Sequence, residues 1–234
     1  MSRLITALVA LALLVSAGIR MDPVRPMRVS HNDILPLKTS LNRVAVIGDS
    51  YTTGTDLGGL GPNGWTARAW DALATHRVPI TADVGAEGGA GYGTRGNRGG
   101  LFEDLTARTV RPDDVLVVFF GSRNDQNVDP AQLSILAYGT FQLARRIAPS
   151  ATFLVIGPPW PTADPPAAIV RIRDALQYQA GVAGAKFVDP IAERWFVKRP
   201  ELIGADGVHP TDAGHEYMAE KIAPLIAAQL PVRL

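Results

Sequence analysis

The 234-residue chain contains no cysteine, and charged residues make up only 19% of it. The lack of cysteine excludes disulfides, thiolate metal sites, a cysteine nucleophile and a lipidated cysteine anchor. Lysine and arginine number 23 against 22 acidic residues, without a dense basic run. This argues against nucleic acid as the main partner, because phosphate binding needs clustered cations. The chain is 47% hydrophobic, which supports a sizeable core and one domain, or at most two.

The N-terminus carries the only targeting signal. A short basic start is followed, from Ile5 to Gly18, by a run that is apolar apart from two hydroxyl residues. This run is shorter than the ~20 residues that a membrane-spanning helix needs, and it ends in small residues suited to cleavage. We therefore expect residues 1–18 to be a signal peptide or an N-terminal anchor, residues 19–42 a proline-interrupted tether, and residues 43–234 the folded domain. The protein is then secreted or associated with the cell envelope through its N-terminus.

Five short apolar runs predict five buried strands. Continuous apolar strands are typical of a parallel sheet that is covered on both faces. Each run ends at a glycine or at an Asp-Pro pair, and they span residues 44–47, 80–84, 115–120, 153–156 and 186–188.

Helical patterns lie between these runs. Asp129-Pro130 and Asp164-Pro165 each have the form of a cap followed by a first-turn proline, and a last helix follows Thr211. Alternating strands and helices predict a doubly wound α/β sandwich. In such a fold the ligand lies beyond the carboxyl ends of the strands.

Ser50 is the first candidate functional residue, because it follows the first predicted strand in the sequence Gly48-Asp49-Ser50. A serine on such a turn can present its hydroxyl to the crevice while nearby N–H groups stay free for an anion. The commoner use of serine at a turn is to cap a helix.

His209 follows Asp206 by three residues in the last predicted loop. A carboxylate at this spacing can accept a hydrogen bond from Nδ1 and leave Nε2 to act as a base. The alternative is that Asp206 caps the loop and His209 is a surface residue. Asp189, at another strand end, is a second candidate orienter for the histidine, although a turn role before Pro190 is the favoured interpretation.

Two more strand ends carry groups that can donate hydrogen bonds. The second strand runs into a glycine loop, defined as residues 85–93, where a backbone N–H can approach a ligand closely. The third runs into residues 121–125, where Asn124 can aim its amide into the crevice. By themselves, the first is typical of a flexible loop and the second of an Asx turn. Together they supply what an oxyanion needs.

These four segments, in this order, resemble the blocks of the SGNH, or GDSL-type, hydrolases of the secreted bacterial type. The resemblance covers residues 43 to about 228, nearly all of the expected mature chain, and its first and last blocks are the most specific. It implies a flavodoxin-like three-layer α/β/α sandwich with a five-stranded parallel sheet. The sequence departs from the pattern at two places. No asparagine precedes the glycine loop, and the third block has one residue more than the commonest spelling.

The resemblance also implies roles for individual residues. Ser50 corresponds to the nucleophile, His209 to the base and Asp206 to its orienter. The oxyanion hole corresponds to the N–H of Ser50, the N–H of a glycine and the side chain of Asn124.

Gly89 is the glycine whose spacing matches the family block best, while Gly88 and Gly91 stay open as alternatives. Trp160, after the fourth strand, and Trp195, before the last loop, are candidates for the substrate pocket. Each could instead be a core residue.

The expected function is that of a serine esterase that forms an acyl-enzyme and needs neither a metal nor an organic cofactor. Its substrates would be small-molecule, glycan or lipid esters. Two alternatives remain open. One is an acyltransferase that moves the acyl group onto an envelope sugar, and the other is a non-catalytic binding protein on the same fold.

Overall fold

The computed structural model describes residues 41–231, so the expected signal segment and nearly all of the expected tether lie outside the described residues. The fold is the expected doubly wound α/β sandwich. Its sheet has five parallel strands in the order β2-β1-β3-β4-β5. The strands are β1 (Asn42–Gly48), β2 (Ile80–Ala86), β3 (Asp114–Phe120), β4 (Thr152–Ile156) and β5 (Lys186–Val188).

In the described residues, six α-helices connect or follow the strands. They are α1 (Ser50–Thr53), α2 (Trp65–Thr75), α3 (Phe102–Thr109), α4 (Pro130–Ile147), α5 (Ala167–Val182) and α6 (Asp212–Gln229). Short 3-10 turns occur at Gly61–Asn63, Arg123–Asn127 and Pro200–Leu202. Within residues 41–231 none of the helices combines the length and the apolarity that crossing a membrane requires.

Two of the three expected helix starts are confirmed. Asp129 caps α4 by accepting two backbone N–H groups, and Thr211 caps α6. The expectation that Asp164-Pro165 opens α5 is wrong, because the helix begins at Ala167 and Pro166 holds the cap position. A residue before proline disfavours the helical region. Two consecutive prolines therefore delay the start of this helix.

Both faces of the sheet are buried, which explains why its strands are continuously apolar. Val44 and Val46 of β1 pack under α2 and α6, whereas Ala45 and Ile47 pack under α3, α4 and α5. Successive side chains of a strand point to opposite faces. Every position of a central strand in a three-layer sandwich therefore meets a helix layer.

This topology brings the chemical candidates to one edge. The parallel strands all end at the same side of the sheet, and β1 lies between β2 and β3, the next two strands in sequence. That arrangement is the switch point where ligands bind in open α/β sheets.

Candidate active site

Ser50 is the first residue of α1, directly after the turn that ends β1. Asp49, rather than Ser50, caps this helix by accepting the N–H of Tyr51 at 2.9 Å. The turn is tight, since a Cβ added at Gly48 would lie only 2.2 Å from Oγ1 of Thr52. Ser50 is therefore held at the sheet edge with its hydroxyl directed toward the last loop.

The last loop brings a histidine to that hydroxyl. We define the histidine loop as residues 204–211, the segment between the third 3-10 turn and α6. Nε2 of His209 lies 3.0 Å from Oγ of Ser50, and Nδ1 lies 2.6 Å from Oδ2 of Asp206. The three side chains thus form one hydrogen-bonded row in which Nδ1 donates and Nε2 accepts.

Asp206 is held as a carboxylate. Its other oxygen accepts the N–H groups of Val208 and His209 at 2.9 and 3.0 Å. Partial burial pushes the pKa of Asp206 up, but the hydrogen bonds from the His209 ring and from these N–H groups outweigh it and lower the pKa to about 2. A charged acceptor at this point keeps the proton of the neutral imidazole on Nδ1.

Asp189, the alternative orienter, lies elsewhere. Its carboxylate accepts the N–H groups of Ile191 and Ala192 and binds Arg173 at 2.7 Å. These contacts are those of a turn residue after β5, and they use both oxygens without involving His209.

Free backbone N–H groups are present at Ser50 and in the glycine loop. Within residues 41–231 the N–H groups of Ser50, Gly88 and Gly89 have no hydrogen-bond partner, whereas Gly91 donates to the carbonyl of Thr94 at 2.8 Å. Gly89 has a φ of +78°, a conformation that favours glycine. Gly89 and Gly88 therefore remain candidate donors, and the contact to Thr94 removes Gly91.

Asn124 reaches the glycine loop despite the extra residue in its block. Ser122 absorbs the added length in a left-handed conformation, with a φ of +86°. The Asn124 amide then donates to the carbonyl of Ala90 at 2.8 Å and to Oδ2 of Asp49 at 3.3 Å. An oxyanion would take over the longer and weaker of these two bonds.

Asp49 is a buried carboxyl to which the sequence analysis assigned no role. Besides capping α1, its Oδ2 accepts the N–H of Ser122 at 3.2 Å. Burial raises the pKa of Asp49 to about 6, against the opposing effects of the N–H groups of Tyr51 and Ser122 and the charge of Arg123. Asp49 therefore ties the nucleophile turn to the Asn124 block.

Two further buried acids, both missed by the sequence reasoning, hold the glycine loop and the segment that follows it. Asp125 accepts the N–H groups of Tyr92 and Gly93 at 2.8 and 3.0 Å, and the hydroxyl of Ser122 at 2.8 Å. A Cβ at Gly91 would lie 2.4 Å from this carboxylate. An acid beside Asn124 at a strand end was the available signal.

Glu87, directly after β2, is the second buried acid. It accepts the N–H groups of Arg98 and Gly100 and pairs with Arg108. Burial raises its pKa, yet these N–H groups and cations outweigh burial and leave the pKa below its usual value. Within residues 41–231 no group of three histidine or acidic side chains is arranged to hold a metal ion.

The two candidate pocket tryptophans differ in position. Trp160 is partly exposed after β4, with the Arg123 guanidinium 4.8 Å from its ring centroid. Placing Trp195 in the pocket is wrong, because its side chain is fully buried in the core beside Phe120. The turn after β5 carries it inward, and Glu193 accepts its indole N–H at 2.7 Å. That bond satisfies the indole N–H, which burial would otherwise leave without a hydrogen-bond partner.

Comparison with known proteins identifies the family to which the chain belongs. The GDSL-like lipase/acylhydrolase family matches residues 46–217. The chain is 67% identical over 199 residues to the GDSL lipase Rv0518 of Mycobacterium tuberculosis, covering 84% of this chain and 86% of that protein.

Solved structures share the fold. TesA superposes with a TM-score of 0.64 at 23% identity, over 81% of this chain and all 100% of TesA. A family two carbohydrate esterase from Clostridium thermocellum, solved in complex with cellohexaose, superposes with a TM-score of 0.63 at 17% identity, over 80% of this chain and 64% of that one.

Proposed function

Since this chain belongs to the GDSL-like lipase/acylhydrolase family, we propose that it is a serine esterase that cleaves O-acyl esters of a sugar, glycan or lipid through an acyl-enzyme on Ser50. The family membership confirms the resemblance indicated by the four sequence blocks, and it makes the protein a carboxylic ester hydrolase. The hydrogen-bonded row of Ser50, His209 and Asp206, at 3.0 and 2.6 Å, is the observation that carries the proposed mechanism.

The reaction begins with a proton transfer. Nε2 of His209 accepts the hydroxyl proton of Ser50 as Oγ attacks the ester carbonyl carbon. The imidazole becomes an imidazolium, and the adjacent Asp206 carboxylate stabilises that charge without taking the proton.

The carbonyl oxygen becomes an oxyanion in this step. The free N–H groups of Ser50 and Gly89 and the amide of Asn124 are the donors that we assign to it, with Gly88 as the alternative glycine. Donors that are already in place stabilise the developing charge without reorganisation, and one such donor is typically worth about 10²–10³ in rate.

The second half of the reaction releases the products. His209 gives its proton to the leaving alkoxide, so the alcohol departs and the acyl group stays on Ser50. A water molecule then attacks the acyl carbon while His209 takes a proton from it. The collapse of the second intermediate returns that proton to Ser50 and frees the acid.

The openness of the site supports a bulky alcohol. The side chains of His209 and Asp206 are 27% and 37% exposed, so the leaving group lies at the surface, where a sugar chain or a lipid has access. Similarity to a GDSL lipase and to a carbohydrate esterase supports the same two classes of ester.

Export would place the enzyme beside envelope esters, and the apolar run of residues 5–18 supports it. N-terminal sequencing of protein from the native host should begin near Gly18, or the protein should pellet with membranes. Full-length protein found only in the cytosol would contradict this part of the proposal.

The direct test is hydrolysis of a series of p-nitrophenyl esters of increasing chain length, followed by acetylated glycans. Ser50→Ala should abolish hydrolysis, whereas Ser150→Ala, at an exposed serine before β4, should match the wild type. A serine-reactive fluorophosphonate should label the peptide that contains Ser50. Labelling elsewhere, or full activity in Ser50→Ala, would overturn the proposed function.

A further inference from the structure

We propose that Arg123 forms an anion-binding subsite beside the Ser50–His209 pair, so that the preferred ester substrates carry a carboxylate or a phosphate. This inference rests on the proposed esterase function and names the class of substrate for that same site.

Among residues 41–231, Arg123 is a buried cation without a counterion in contact. Only 8% of the residue is exposed. In the described part of the chain it makes one hydrogen bond, from Nη1 to the hydroxyl of Tyr51, at 3.3 Å. Within residues 41–231 no carboxylate lies within 4.0 Å of its guanidinium. Buried arginines are normally paired, because removing the charge from water is costly.

Asp49 is the nearest candidate counterion, but it is already engaged. The charge of Arg123 acts on Asp49 from a distance. The carboxylate oxygens of Asp49 accept hydrogen bonds from the N–H groups of Tyr51 and Ser122 and from the Asn124 amide. Asp49 therefore does not pair directly with the guanidinium.

The free donors of Arg123 can be reached from outside. Nε and Nη2 make no hydrogen bond within residues 41–231, yet neither is among the fully enclosed atoms that lack a partner, so both reach solvent. The hydrogen bond to Tyr51 and the Trp160 ring, over which the guanidinium lies, restrict its movement. A fixed arginine fork with unused N–H donors suits the paired oxygens of a carboxylate or a phosphate.

The position of Arg123 links this subsite to the reaction. Arg123 precedes Asn124 in the chain, and its partner Tyr51 follows Ser50. The Tyr51 hydroxyl donates to the carbonyl of Val208 at 2.5 Å, next to His209, and the Tyr51 and His209 rings are 6.4 Å apart. An anion on Arg123 would therefore belong to the ester that is being cleaved.

The experiment uses matched ester pairs. To test a charge on the acyl side, p-nitrophenyl hemisuccinate is compared with p-nitrophenyl butyrate. To test a charge on the alcohol side, p-carboxyphenyl butyrate is compared with phenyl butyrate, and so is the analogue that carries a phosphate in place of the carboxylate. The quantity measured is the anionic-to-neutral ratio of kcat/KM in each variant, divided by the wild-type ratio. Differences in intrinsic ester reactivity cancel in this quotient.

Arg123→Met should lower the quotient by about 10- to 100-fold for at least one pair, the range expected for charged hydrogen bonds. Arg123→Lys, which keeps the charge and loses the fork, should give an intermediate value. Arg145→Met is the matched control, because the guanidinium of Arg145 also lies over an aromatic ring, that of Phe153, near the start of β4. It should leave the quotient at the wild-type value.

Two results would overturn the subsite. One is an unchanged quotient for every pair in Arg123→Met. The other result concerns the wild type alone. For every ester pair, its anionic-to-neutral ratio of kcat/KM would not exceed the corresponding ratio of rates for hydroxide-catalysed hydrolysis of the same two esters. Failure of the esterase function looks different, since the neutral esters would then resist the wild type or would still be cleaved by Ser50→Ala.

Discussion

The two loops that flank Ser50 are held in place by different kinds of contact. On one side, the fully buried carboxylate of Asp125 accepts backbone N–H groups of the glycine loop, and buried Glu87 does the same for the segment that follows. On the other side, the histidine loop depends on Asp206, whose side chain is 37% exposed. Oxyanion donors act best when they are fixed in advance, whereas the base must exchange protons with serine, alcohol and water in turn. The buried acids therefore lie on the side of Ser50 that carries the oxyanion donors, where the geometry must stay fixed.

Removing the reacting pair should have the largest effect. Ser50→Ala and His209→Ala should each lower kcat by about 10⁴-fold or more, and the double variant should cost little beyond either one, because the two residues act as a unit. Asp206→Ala should be milder, since part of the His209 population keeps the correct orientation. Steady-state kinetics on p-nitrophenyl butyrate measures all four variants.

Asp189→Ala is the control for the histidine loop, because Asp189 lies in a turn and contacts Arg173. A wild-type rate in Asp206→Ala together with a crippled Asp189→Ala would reverse the assignment of the orienter.

Asn124→Ala should come next, with a fall in kcat of about 10²–10³ and a smaller change in KM, because the bond to the oxyanion is strongest in the transition state. Asn63→Ala is the matched control, since Asn63 also donates its amide to an aspartate, Asp212, at an exposed position. A change confined to KM would make Asn124 a substrate-binding residue instead.

Asp49 should make the stability of the protein depend on pH. Its folded pKa of about 6 lies above its ordinary value of 3.8, so the folded state binds the proton more tightly than the unfolded state does. The stability that this proton contributes is fully present below pH 3.8 and is lost as the pH rises through about 6. Asp49→Asn has no such loss. Relative to the wild type, it should gain up to about 3 kcal/mol in the free energy of unfolding across this window.

Urea unfolding of both proteins across the window measures this difference. Buried His215, whose pKa is lowered to about 4, loses stability as the pH falls instead, but it is present in both proteins and cancels. Parallel stability curves for Asp49→Asn and the wild type would show that Asp49 does not bind a proton in this range.

Asp125 and Asp206, which hold the two loops, should differ in how much each contributes to the stability of the protein. Asp125→Asn replaces one acceptor oxygen of a buried carboxylate with an NH₂ group, and it should lower the free energy of unfolding by about 1–3 kcal/mol. Asp206→Asn, at a partly exposed position, should change it by less than about 1 kcal/mol while it lowers kcat. Thermal unfolding read beside kinetics separates the two effects. Equal losses of stability would contradict the contrast between the two loops.

Much of the fold could be predicted from local patterns. The five apolar runs correspond to the five strands, with β2 extending to Ala86 rather than stopping before Gly85. The caps at Asp129 and Thr211 have local causes, since a side chain there bonds to N–H groups two or three residues ahead. The start of α5 was predicted wrongly because two competing local rules, the cap and the proline restriction, favoured different residues.

The sequence alone determined that Ser50, His209 and Asn124 meet at one edge, because parallel strands all end on the same side of a sheet and each residue follows such an end or lies in the last loop. Only the tertiary structure decided which glycine N–H groups stay free, that Trp195 turns into the core, that Asp125 holds the glycine loop, and that Arg123 has no ion-pair partner within residues 41–231. The physical reason is distance along the chain. The contact from Asp125 to Tyr92 spans 33 residues and that from Tyr51 to Val208 spans 157. Periodicity and turn chemistry act over only a few residues, so a local pattern does not show which residues such contacts join.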